Sequence, residues 1–304
     1  MVKPLTVKIL MIQTLYNIVQ KCAQQFIQAK LYFGHGTSNA EDEALALALY
    51  ALGQYEIETY EKHLPKLLDQ PLTNAQQQAI LQLVERRIME RLPLPYITHK
   101  TWFAGLPFYV DERVIVPRSP IAELISSNFS PWLQHKTSLR IMDMCTGSGC
   151  IAIACAKTFP DARIDAVDIS AEALEVAKIN VHSHQVTHQV QLIQSDLFCK
   201  IPAEHQYDLI IVNPPYVDAA EMASLPKEYK HEPDLALAAG EDGLDLVRIL
   251  LKEVQSYLKP KGVLVVEVGD SETAMKKAFP HLPLYWLDFK YGGSGVFVLL
   301  APFS

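Results

Sequence analysis

The sequence predicts an α/β fold, a mostly parallel sheet with crossover helices, preceded by a smaller helical domain. From Leu139 onward, short apolar runs of β-forming residues alternate with helical segments, as strands joined through crossover helices do. Before Pro93, apolar residues recur at three- and four-residue spacing, which is the helical period. We therefore expect a helical domain at 1–98, a hairpin and linker helix at 99–125, and a larger α/β domain at 126–304.

The first domain contains three segments with a helical pattern. The first has an apolar face made of Ile9, Ile12, Tyr16, Val19, Ala23 and Phe26. The second is Ala- and Leu-rich and covers 41–52, and the third follows Thr73 and Gln76, which stand in capping-box positions. The prolines of 93–95 are expected to end the helical part. The segment Gly34-His35-Gly36 is either a helix-ending turn or part of substrate recognition.

The strands and helices from residue 100 onward are predicted from alternating apolar residues and from turn residues. Residues 100–117 have the pattern of a hairpin that turns at Gly105, and a short helix is expected to run from Pro120 through Ile125. The expected strands are 139–144, 163–168, 189–194, 207–212 and 262–268, with a closing pair at 283–290 and 295–301 that could form an antiparallel edge. The expected helices are 149–158, 171–182 and 243–257.

Composition limits the classes of function. Of the 304 residues, 49% are apolar and 20% are charged, which is typical of a globular protein. The net charge of -7 argues against a surface built to hold nucleic acid and suits a basic partner better. The five cysteines form no Cys-x-x-Cys pair, so free thiols in a reducing compartment are expected. Because no signal peptide or membrane-length apolar stretch is recognisable, we expect a cytoplasmic protein with no membrane partner.

The first candidate site is the turn that joins the strand at 139–144 to the next helix. Gly147 and Gly149 let the backbone turn tightly and approach a ligand, and the helix that follows offers free N–H groups to a carboxylate or phosphate. The third glycine of the dinucleotide fingerprint is absent, because Ala152 occupies its position. A structural turn with no ligand remains an alternative for this segment alone.

Two acidic residues end the next two strands. Asp168 stands 19 residues after Gly149, the spacing at which a carboxylate accepts hydrogen bonds from ribose hydroxyls. It could instead cap the next helix, but Ser170 is already a suitable N-cap, which would leave Asp168 free. Asp196, followed by Leu197 and Phe198, could accept from an exocyclic amine and enclose a flat ring; an ordinary strand-end turn is the alternative.

The most specific motif is Asn213-Pro214-Pro215-Tyr216, which follows the strand at 207–212. The consecutive prolines make the turn rigid. The Asn213 side-chain oxygen and the Pro214 carbonyl are two acceptors that could hold both hydrogens of a planar NH₂ group. Tyr216 could provide an aromatic face beside that group. A plain β-turn is the alternative interpretation.

Four elements, taken in their order along the chain, resemble the class I S-adenosylmethionine-dependent methyltransferases: the glycine turn, Asp168, Asp196 and the Asn-Pro-Pro-Tyr motif. The motif at 213–216 is similar to that of enzymes that methylate planar amide or amine nitrogens. The resemblance implies a Rossmann-like, seven-stranded sheet with one antiparallel strand near its edge. It also implies S-adenosylmethionine as the cofactor and methyl donor.

Two further stretches narrow the resemblance. Residues 106–124 and 231–244 are similar to the bacterial protein-glutamine methyltransferases. The stretch Arg118-Ser119-Pro120-Ile121 and Cys145 depart from the release-factor branch of that family. Together with the segment 32–44, they resemble the branch that methylates a glutamine of the third large-subunit ribosomal protein. The implied substrate is thus a basic ribosomal protein, recognised by the helical domain.

The resemblance also implies roles for individual residues. Those implied to bind the cofactor are Thr146, Gly147, Ser148 and Gly149 around its methionine part, Asp168 at the ribose, Asp196 and Leu197 at the adenine, and Asn213. Those implied to hold the substrate glutamine are Asn213, Pro214, Pro215 and Tyr216. An amide nitrogen is a poor nucleophile because its lone pair is delocalised, whereas a sulfonium methyl is strongly electrophilic. Aiming the nitrogen and excluding water is therefore the main task, and no histidine is assigned a catalytic role.

Three alternatives remain open at this stage. The nearest is a release-factor glutamine methyltransferase. The second is a methyltransferase acting on adenine in nucleic acid, which the acidic composition disfavours, since no direct nucleic-acid readout is expected. The third is a non-catalytic protein that kept the fold. The acidic segment 218–245 is hypothesised to form a rim that attracts a basic protein, and no metal site is expected at His182, His184 and His188.

Overall fold

The computed structural model describes residues 13–56, 62–133 and 138–303 and divides the chain into two units. The first unit is Met1–Thr98 and the second is His99–Ser304. The hairpin and linker helix expected at 99–125 therefore belong to the second unit. No helix among the described residues has both the length and the apolar character needed to cross a membrane.

The described part of the first unit is helical. Its helices are α1 (Leu15–Gln28), α2 (Ala40–Ala51), α3 (Leu64–Leu68), α4 (Asn74–Glu90) and α5 (Leu94–Thr98). The capping box predicted at the start of α4 is present, since Thr73 and Gln76 exchange hydrogen bonds. The prolines of 93–95 do not end the helical part as predicted, because α5 begins among them. Proline in a first turn loses no helical hydrogen bond.

Helix α1 buries one face, which includes Leu15, Cys22 and Phe26. Tyr16 was expected on this face but is 52% exposed. One residue along a helix is a rotation of about 100°, which carries Tyr16 from the position of Leu15 to the side of the helix. Ile9 and Ile12, the other members of the predicted face, lie outside the described residues.

A buried ion pair organises the first unit. Arg87 Nε donates to Glu43 Oε1 at 2.5 Å, and the two side chains are only 1% and 2% exposed. Arg87 also donates to the Tyr32 carbonyl, and Thr37 donates to Glu43, so the segment 32–37 is fastened to α2 and α4. Since α1 ends at Gln28, the segment Gly34–Gly36 is not the helix-ending turn that was one interpretation of it.

The second unit opens with a short hairpin, β1 (Thr101–Phe103) and β2 (Leu106–Phe108), and the helix α6 (Ile121–Ser126). The main strands are β3 (Arg140–Met144), β4 (Arg163–Asp168), β5 (Val190–Gln194), β6 (Tyr207–Val212), β7 (Leu258–Glu267), β8 (Tyr285–Trp286) and β9 (Val296–Leu300). The helices among them are α7 (Cys150–Thr158), α8 (Ala171–Ser183), α9 (Ala219–Ser224), α10 (Asp245–Tyr257) and α11 (Glu272–Ala278).

The seven main strands form one sheet in the order β5-β4-β3-β6-β7-β9-β8. β9 pairs antiparallel with both β7 and β8, so one strand near the edge runs against the others. This confirms the predicted sheet. From β3 the chain moves outward to β4 and β5 and then returns to place β6 on the other side of β3. Such a reversal opens a crevice at the carboxyl ends of the strands, where α/β proteins bind ligands.

Alternate residues of the central strands supply two apolar layers, one on each face of the sheet. Ile141, Leu209 and Val263 pack on one face with the apolar sides of α6 and α7. Met142 and Ile210 pack on the other face with α10. Because both faces are covered, these strands are almost wholly apolar, as buried parallel strands are.

Several predicted boundaries differ from the structure. The second hairpin strand ends at Phe108 and does not extend to Val116, because the Asn180 side chain bonds both the N–H and the carbonyl of Tyr109 in place of a partner strand. β7 begins earlier than residue 262, directly after α10, and β8 has only two residues. The short helices α9 and α11 were not predicted.

Candidate active site

A cavity of about 350 Å³ lies at the carboxyl ends of four adjacent strands. Each strand contributes the residues that follow it. The contributions are Met144 and Cys145 after β3, Asp168 and Ile169 at β4, Ser195, Asp196 and Leu197 after β5, and Asn213 and Pro215 after β6. The cavity is therefore at the crevice that the strand order predicts.

The glycine turn after β3 is built around a buried carboxylate. Asp143 is fully buried, and its Oδ2 accepts from the Thr146 hydroxyl at 2.5 Å and from the Ala152 N–H at 3.0 Å. Its Oδ1 has no partner among the described residues. Burial raises the pKa of Asp143 to about 7, although both hydrogen bonds act in the opposite direction. The carboxylate thus ties the turn to the first turn of α7.

Gly149 serves as the N-cap of α7 with a φ of 79°, a left-handed conformation that favours glycine. A Cβ at this position would also lie 3.3 Å from the Ala177 Cβ, so the close approach of α8 excludes a larger residue without a shift. Ser148 is buried, and its carbonyl accepts from Asn180 of α8. The turn is therefore held from both sides.

Asp168 is not free, contrary to the sequence argument. Ser170 does cap α8, as predicted, by accepting from the Ala173 N–H. Asp168 nevertheless accepts from the Gly147 N–H through Oδ2 and from the Ser170 N–H through Oδ1, both at 2.9 Å. Burial raises its pKa, and these hydrogen bonds oppose the rise. Since each carboxylate oxygen has two acceptor sites, Asp168 can still accept from a ligand hydroxyl while it braces the turn.

Two segments that sequence reasoning did not assign complete the cavity walls. One is 113–115, just after the hairpin, and the other is 233–240, beyond the motif at 213–216. Glu232 joins them, since its fully buried carboxylate accepts from Arg118 through both oxygens at 2.6 and 2.8 Å and from the Val116 N–H at 2.8 Å. A bidentate pair of this kind fixes both distance and orientation.

The lining of the cavity is mainly apolar, with an acidic excess. Ile169, Leu235 and Ile249 all line it and are 49%, 61% and 49% exposed, an arrangement that marks a ligand site more often than a structural surface. Its charged lining residues are Asp168, Asp196 and Asp245 against one cation, Arg113, among the described residues. Such a lining suits a ligand with an apolar ring and net positive charge.

The corner after β6 places Asn213 at the cavity. Asn213 is half-buried, and no other described residue hydrogen-bonds its side-chain amide. Pro214 is buried beside it, and Pro215 also lines the cavity. The corner therefore offers a polar side chain that is not occupied by the fold, within an otherwise rigid turn.

Tyr216 is fastened by its hydroxyl rather than lining the cavity. The hydroxyl donates to Glu267 Oε1 at 3.1 Å, and the Tyr216 carbonyl accepts from the Ser271 hydroxyl at 3.1 Å. Burial is the main cause that raises the pKa of Tyr216, followed by the charge of Glu267. Tyr216 thus stays a neutral donor at ordinary pH.

The predicted site residues divide into two groups in the structure. Those that line the cavity are Gly147, Asp168, Asp196, Leu197, Asn213 and Pro215. The others, Thr146, Ser148, Gly149, Pro214 and Tyr216, belong to the turns that carry the first group. Asp143, Asn180, Glu232 and Glu267 were missed by the sequence argument. The one local signal for them was an acidic residue inside an apolar strand, at Asp143 and at Glu267.

The acidic rim proposed at 218–245 is not a uniform surface. Glu228 and Glu232 are only 2% and 3% exposed, and Glu232 is neutralised by Arg118. Asp242 is paired with Arg248. Glu221 is partly exposed, and its pKa is raised by burial and by the charges of Asp270 and Asp218. Glu228 and Glu232 are therefore not displayed to a partner, whereas Asp234 and Glu241 are exposed.

Comparisons with known proteins agree with this arrangement. The profile of the methyltransferase small domain matches residues 125–227. The chain is 45% identical over 287 residues to the ribosomal protein uL3 glutamine methyltransferase of Neisseria gonorrhoeae, covering 94% of each chain. It is also 45% identical to the protein of the same name in Neisseria meningitidis serogroup B, covering 94% of this chain and 92% of the relative.

Among solved structures, a methyltransferase from Pyrococcus furiosus is similar over 64% of this chain and 89% of its own, with 19% identity and a TM-score of 0.47. The curated relatives match across almost their whole length, so the similarity includes both units. The chain belongs to the family of ribosomal protein uL3 glutamine methyltransferases.

Proposed function

We propose that this chain transfers one methyl group from S-adenosylmethionine to the side-chain amide nitrogen of a glutamine in ribosomal protein uL3. The observation that carries the proposal is Asn213, an unengaged amide on a rigid corner at the edge of the cavity, in a chain of this family. An N-methylglutamine side chain and S-adenosylhomocysteine are the products.

The cavity fits the methyl donor of the family, S-adenosylmethionine. The donor is a cation at its sulfur and amino groups, which suits three lining carboxylates against one guanidinium. Asp168 would accept from the ribose hydroxyls, and Asp196 with Leu197 would contact the adenine. Gly147 and the turn Thr146–Gly149 would surround the methionine part. When bound, the donor supplies an electrophilic methyl group.

The residues of this chain do the positioning. The Asn213 side-chain oxygen and the Pro214 carbonyl each accept one hydrogen of the substrate amide, with the stiff turn at Pro215 and Tyr216 setting their separation. Gripping both hydrogens out of the amide plane localises the nitrogen lone pair and directs it at the methyl group. The apolar side chains Ile169, Leu235 and Ile249 exclude water around the pair.

No strong base is required in this arrangement. The nitrogen becomes acidic only as the methyl group is transferred, so its proton leaves afterwards to solvent. Transfer therefore depends on orientation, for which an effective molarity of about 10⁵ M or more is available from fixed geometry. Asn213 and the Pro214 carbonyl are the catalytic groups in this account, because they contact the reacting amide.

The direct test is transfer of a labelled methyl group from S-adenosylmethionine to purified uL3, followed by mass mapping of the modified peptide. We expect one added methyl group on one glutamine. A release factor in a parallel reaction is the comparison substrate. Labelling of the release factor and not of uL3 would reject the proposal in favour of that alternative.

A second measurement separates the cofactor site from the acceptor site. Replacing Asp168→Ala removes the ribose acceptor and the hydrogen bond that braces the glycine turn at Gly147, so we expect the Kd for S-adenosylmethionine to rise by about 10-fold or more. Isothermal calorimetry measures this directly. An unchanged Kd would remove Asp168 from the cofactor site.

We further propose that the helical unit recognises the substrate, which is a basic protein, and that the reaction takes place in the cytoplasm. Tyr32, in the segment 32–37, is 40% exposed although that segment is fastened to the helices around it. Tyr32→Ala should therefore raise the KM for uL3 and leave the Kd for S-adenosylmethionine unchanged. A KM equal to that of the wild type would speak against this role for Tyr32.

A further inference from the structure

A chain of hydrogen bonds through one buried carboxylate extends from the acceptor corner to a residue far away in sequence. Tyr216 donates to Glu267 Oε1 at 3.1 Å, and Ser119 donates to Glu267 Oε2 at 2.5 Å. The Ser119 oxygen also accepts from the Ile121 N–H at 3.2 Å, which leaves its proton for Glu267. Both oxygens of one carboxylate are thus used, each by a different hydroxyl.

The position of Glu267 explains why this chain of hydrogen bonds is rigid. Glu267 is the last residue of β7 and is 4% exposed, and Ser119, which precedes α6, is 7% exposed. A buried carboxylate without partners is strongly unfavourable, so its hydrogen bonds are retained firmly. β7 is a central strand and cannot shift independently of the sheet. The carboxylate therefore offers Tyr216 a fixed point of attachment.

Packing and a backbone hydrogen bond hold the rest of Tyr216. A Cβ on Gly269 would lie 2.5 Å from the Tyr216 ring, so only glycine allows the ring to occupy this position. Gly269 also has a φ of 47°, which disfavours other residues. The Tyr216 carbonyl is held by Ser271. Both the ring and the backbone of Tyr216 are consequently fixed at the end of the proline corner.

We propose that Ser119 and Glu267 are positioning residues for methyl transfer. Through the Tyr216 hydroxyl they hold the Pro214–Pro215 corner in place and so set the direction in which Asn213 grips the substrate amide. Neither residue touches the substrate or the cofactor in this account, and the inference rests on the function proposed above.

The first test removes the Tyr216 hydroxyl. In Tyr216→Phe the ring packing and the Ser271 bond remain but the corner loses its attachment to Glu267, and a displacement of about 1 Å at a reacting group can cost about 10²-fold in rate. We expect kcat for uL3 methylation to fall by at least about 10-fold, with the Kd for S-adenosylmethionine within about 2-fold of wild type. A kcat within about 2-fold of wild type would overturn the proposal.

Two variants of Glu267 separate positioning from proton transfer. Glu267→Ala removes the attachment and should lower kcat as much as Tyr216→Phe does. In Glu267→Gln, the amide oxygen can accept from Tyr216 while the NH₂ group donates to Ser119, so most of the activity should return. If Glu267→Gln were as inactive as Glu267→Ala, Glu267 would be acting as a base and not as a positioning residue.

The matched control is Tyr207→Phe, at the other end of β6. Tyr207 is fully buried, and its hydroxyl donates to Asp165 Oδ2 at 2.7 Å, so the substitution deletes the same kind of bond at the opposite end of the strand. We expect Tyr207→Phe to lower the Tm while kcat stays within about 2-fold of wild type. An equal loss of kcat in both tyrosine variants would show a general effect on folding and would overturn the proposal.

A double-mutant cycle, measured by thermal unfolding, tests the chain of hydrogen bonds without any methyl acceptor. Ser119→Ala and Tyr216→Phe should each lower the Tm, and the double variant should lower it by more than the sum, because only the double variant leaves the buried carboxylate without either hydroxyl. Additive shifts in Tm would show that the two hydroxyls are not coupled and would overturn the proposal. If the wild type transfers no methyl group to uL3, the proposed function fails, and this cycle still decides whether Ser119 and Tyr216 are coupled.

Discussion

The two ends of strand β6 carry the same interaction with different consequences. Tyr207 begins the strand and Tyr216 follows its last residues, and each hydroxyl donates to a buried carboxylate. At the amino end, Asp165 also accepts from Arg140 at 3.1 Å, and Arg140 lies over the Tyr207 ring. At the carboxyl end, Glu267 takes a second bond from Ser119, and the residues just before Tyr216 line the cavity.

From this comparison we expect position in the sheet, and not bond type, to decide whether a tyrosine of this kind affects rate or stability. Ligands bind at the carboxyl ends of parallel strands, so a bond there controls the aim of residues around the cavity. At the amino end, the bonds join strands to one another. Changes at the carboxyl end should therefore affect rate, and changes at the amino end should affect stability.

The largest effect is expected for Asn213→Ala at the carboxyl end. The variant removes an acceptor that grips the reacting amide, so kcat for uL3 should fall by about 10³-fold. The Kd for S-adenosylmethionine, measured by calorimetry, should stay within about 10-fold of wild type. Asn213→Asp, which keeps the acceptor oxygen, is the matched control and should lose less. Wild-type turnover by Asn213→Ala would refute the proposed hydrogen bond from the substrate amide to Asn213.

The next effect concerns pH and the buried Asp143 beneath the glycine turn. Its pKa is raised to about 7 in the folded protein, above the ordinary value of 3.8. The folded state then holds a proton that the unfolded state has released, so stability is lost as pH rises from about 4 towards about 7 and is level above that range. The slope should be about 1.4 kcal/mol per pH unit.

Asp143→Asn supplies the comparison for this pH effect, because the amide does not titrate. Urea unfolding of both proteins at pH 5, 6, 7 and 8, values that span the Asp143 pKa of about 7, gives the difference in unfolding free energy at each pH. We expect the wild type to lose stability relative to Asp143→Asn up to about pH 7. A difference that does not change with pH would show that Asp143 is ionised throughout.

A smaller effect, on stability alone, is expected for Asp165→Ala at the amino end. The variant leaves the buried Tyr207 hydroxyl and the Arg140 guanidinium without their carboxylate, which should cost about 3 kcal/mol of unfolding free energy. Denaturant unfolding measures the loss. The kcat at a temperature where the variant is folded should equal that of the wild type, and a large fall in kcat would break the contrast between the two ends.

The smallest effect is expected for Lys259→Ala. Lys259 donates to Asp208 at 2.6 Å, but its side chain is 39% exposed, so the solvent screens the pair. Exposed ion pairs contribute about 0.2 to 1 kcal/mol, and we expect a loss of unfolding free energy in that range with no change in kcat. A loss as large as that of Asp165→Ala would mean that the amino-end network is a single cooperative unit.

Much of the fold was predictable because it depends on local patterns. The strands β4 and β6 begin and end at the predicted residues, since a central parallel strand is an uninterrupted apolar run between turn residues. The end of β2 was wrong, because Asn180, 71 residues away from Tyr109, replaces a strand partner there. No local pattern around Phe108 indicates that contact.

The residues of the candidate site were likewise predictable only where a local pattern indicated them. The glycine turn and the Asn-Pro-Pro-Tyr corner were recognisable, because their chemistry resides in consecutive residues. The partners of Asp168 were not, since the side chain accepts from the turn after a different strand. Nor was the burial of Glu232, which looked like part of a charged surface until Arg118 was found beside it.

The sequence by itself determined the α/β class, the order of the strands along the chain, and the rigid Asn-Pro-Pro-Tyr corner at the end of β6. These follow from periodicity, turn residues and proline stiffness, which operate over a few neighbouring residues. Only the tertiary structure decided which charged groups are buried, which segments close the cavity, and what holds Tyr216. Ser119 and Glu267 are 148 residues apart, and only the packing of α6 against the sheet brings their side chains within hydrogen-bonding distance.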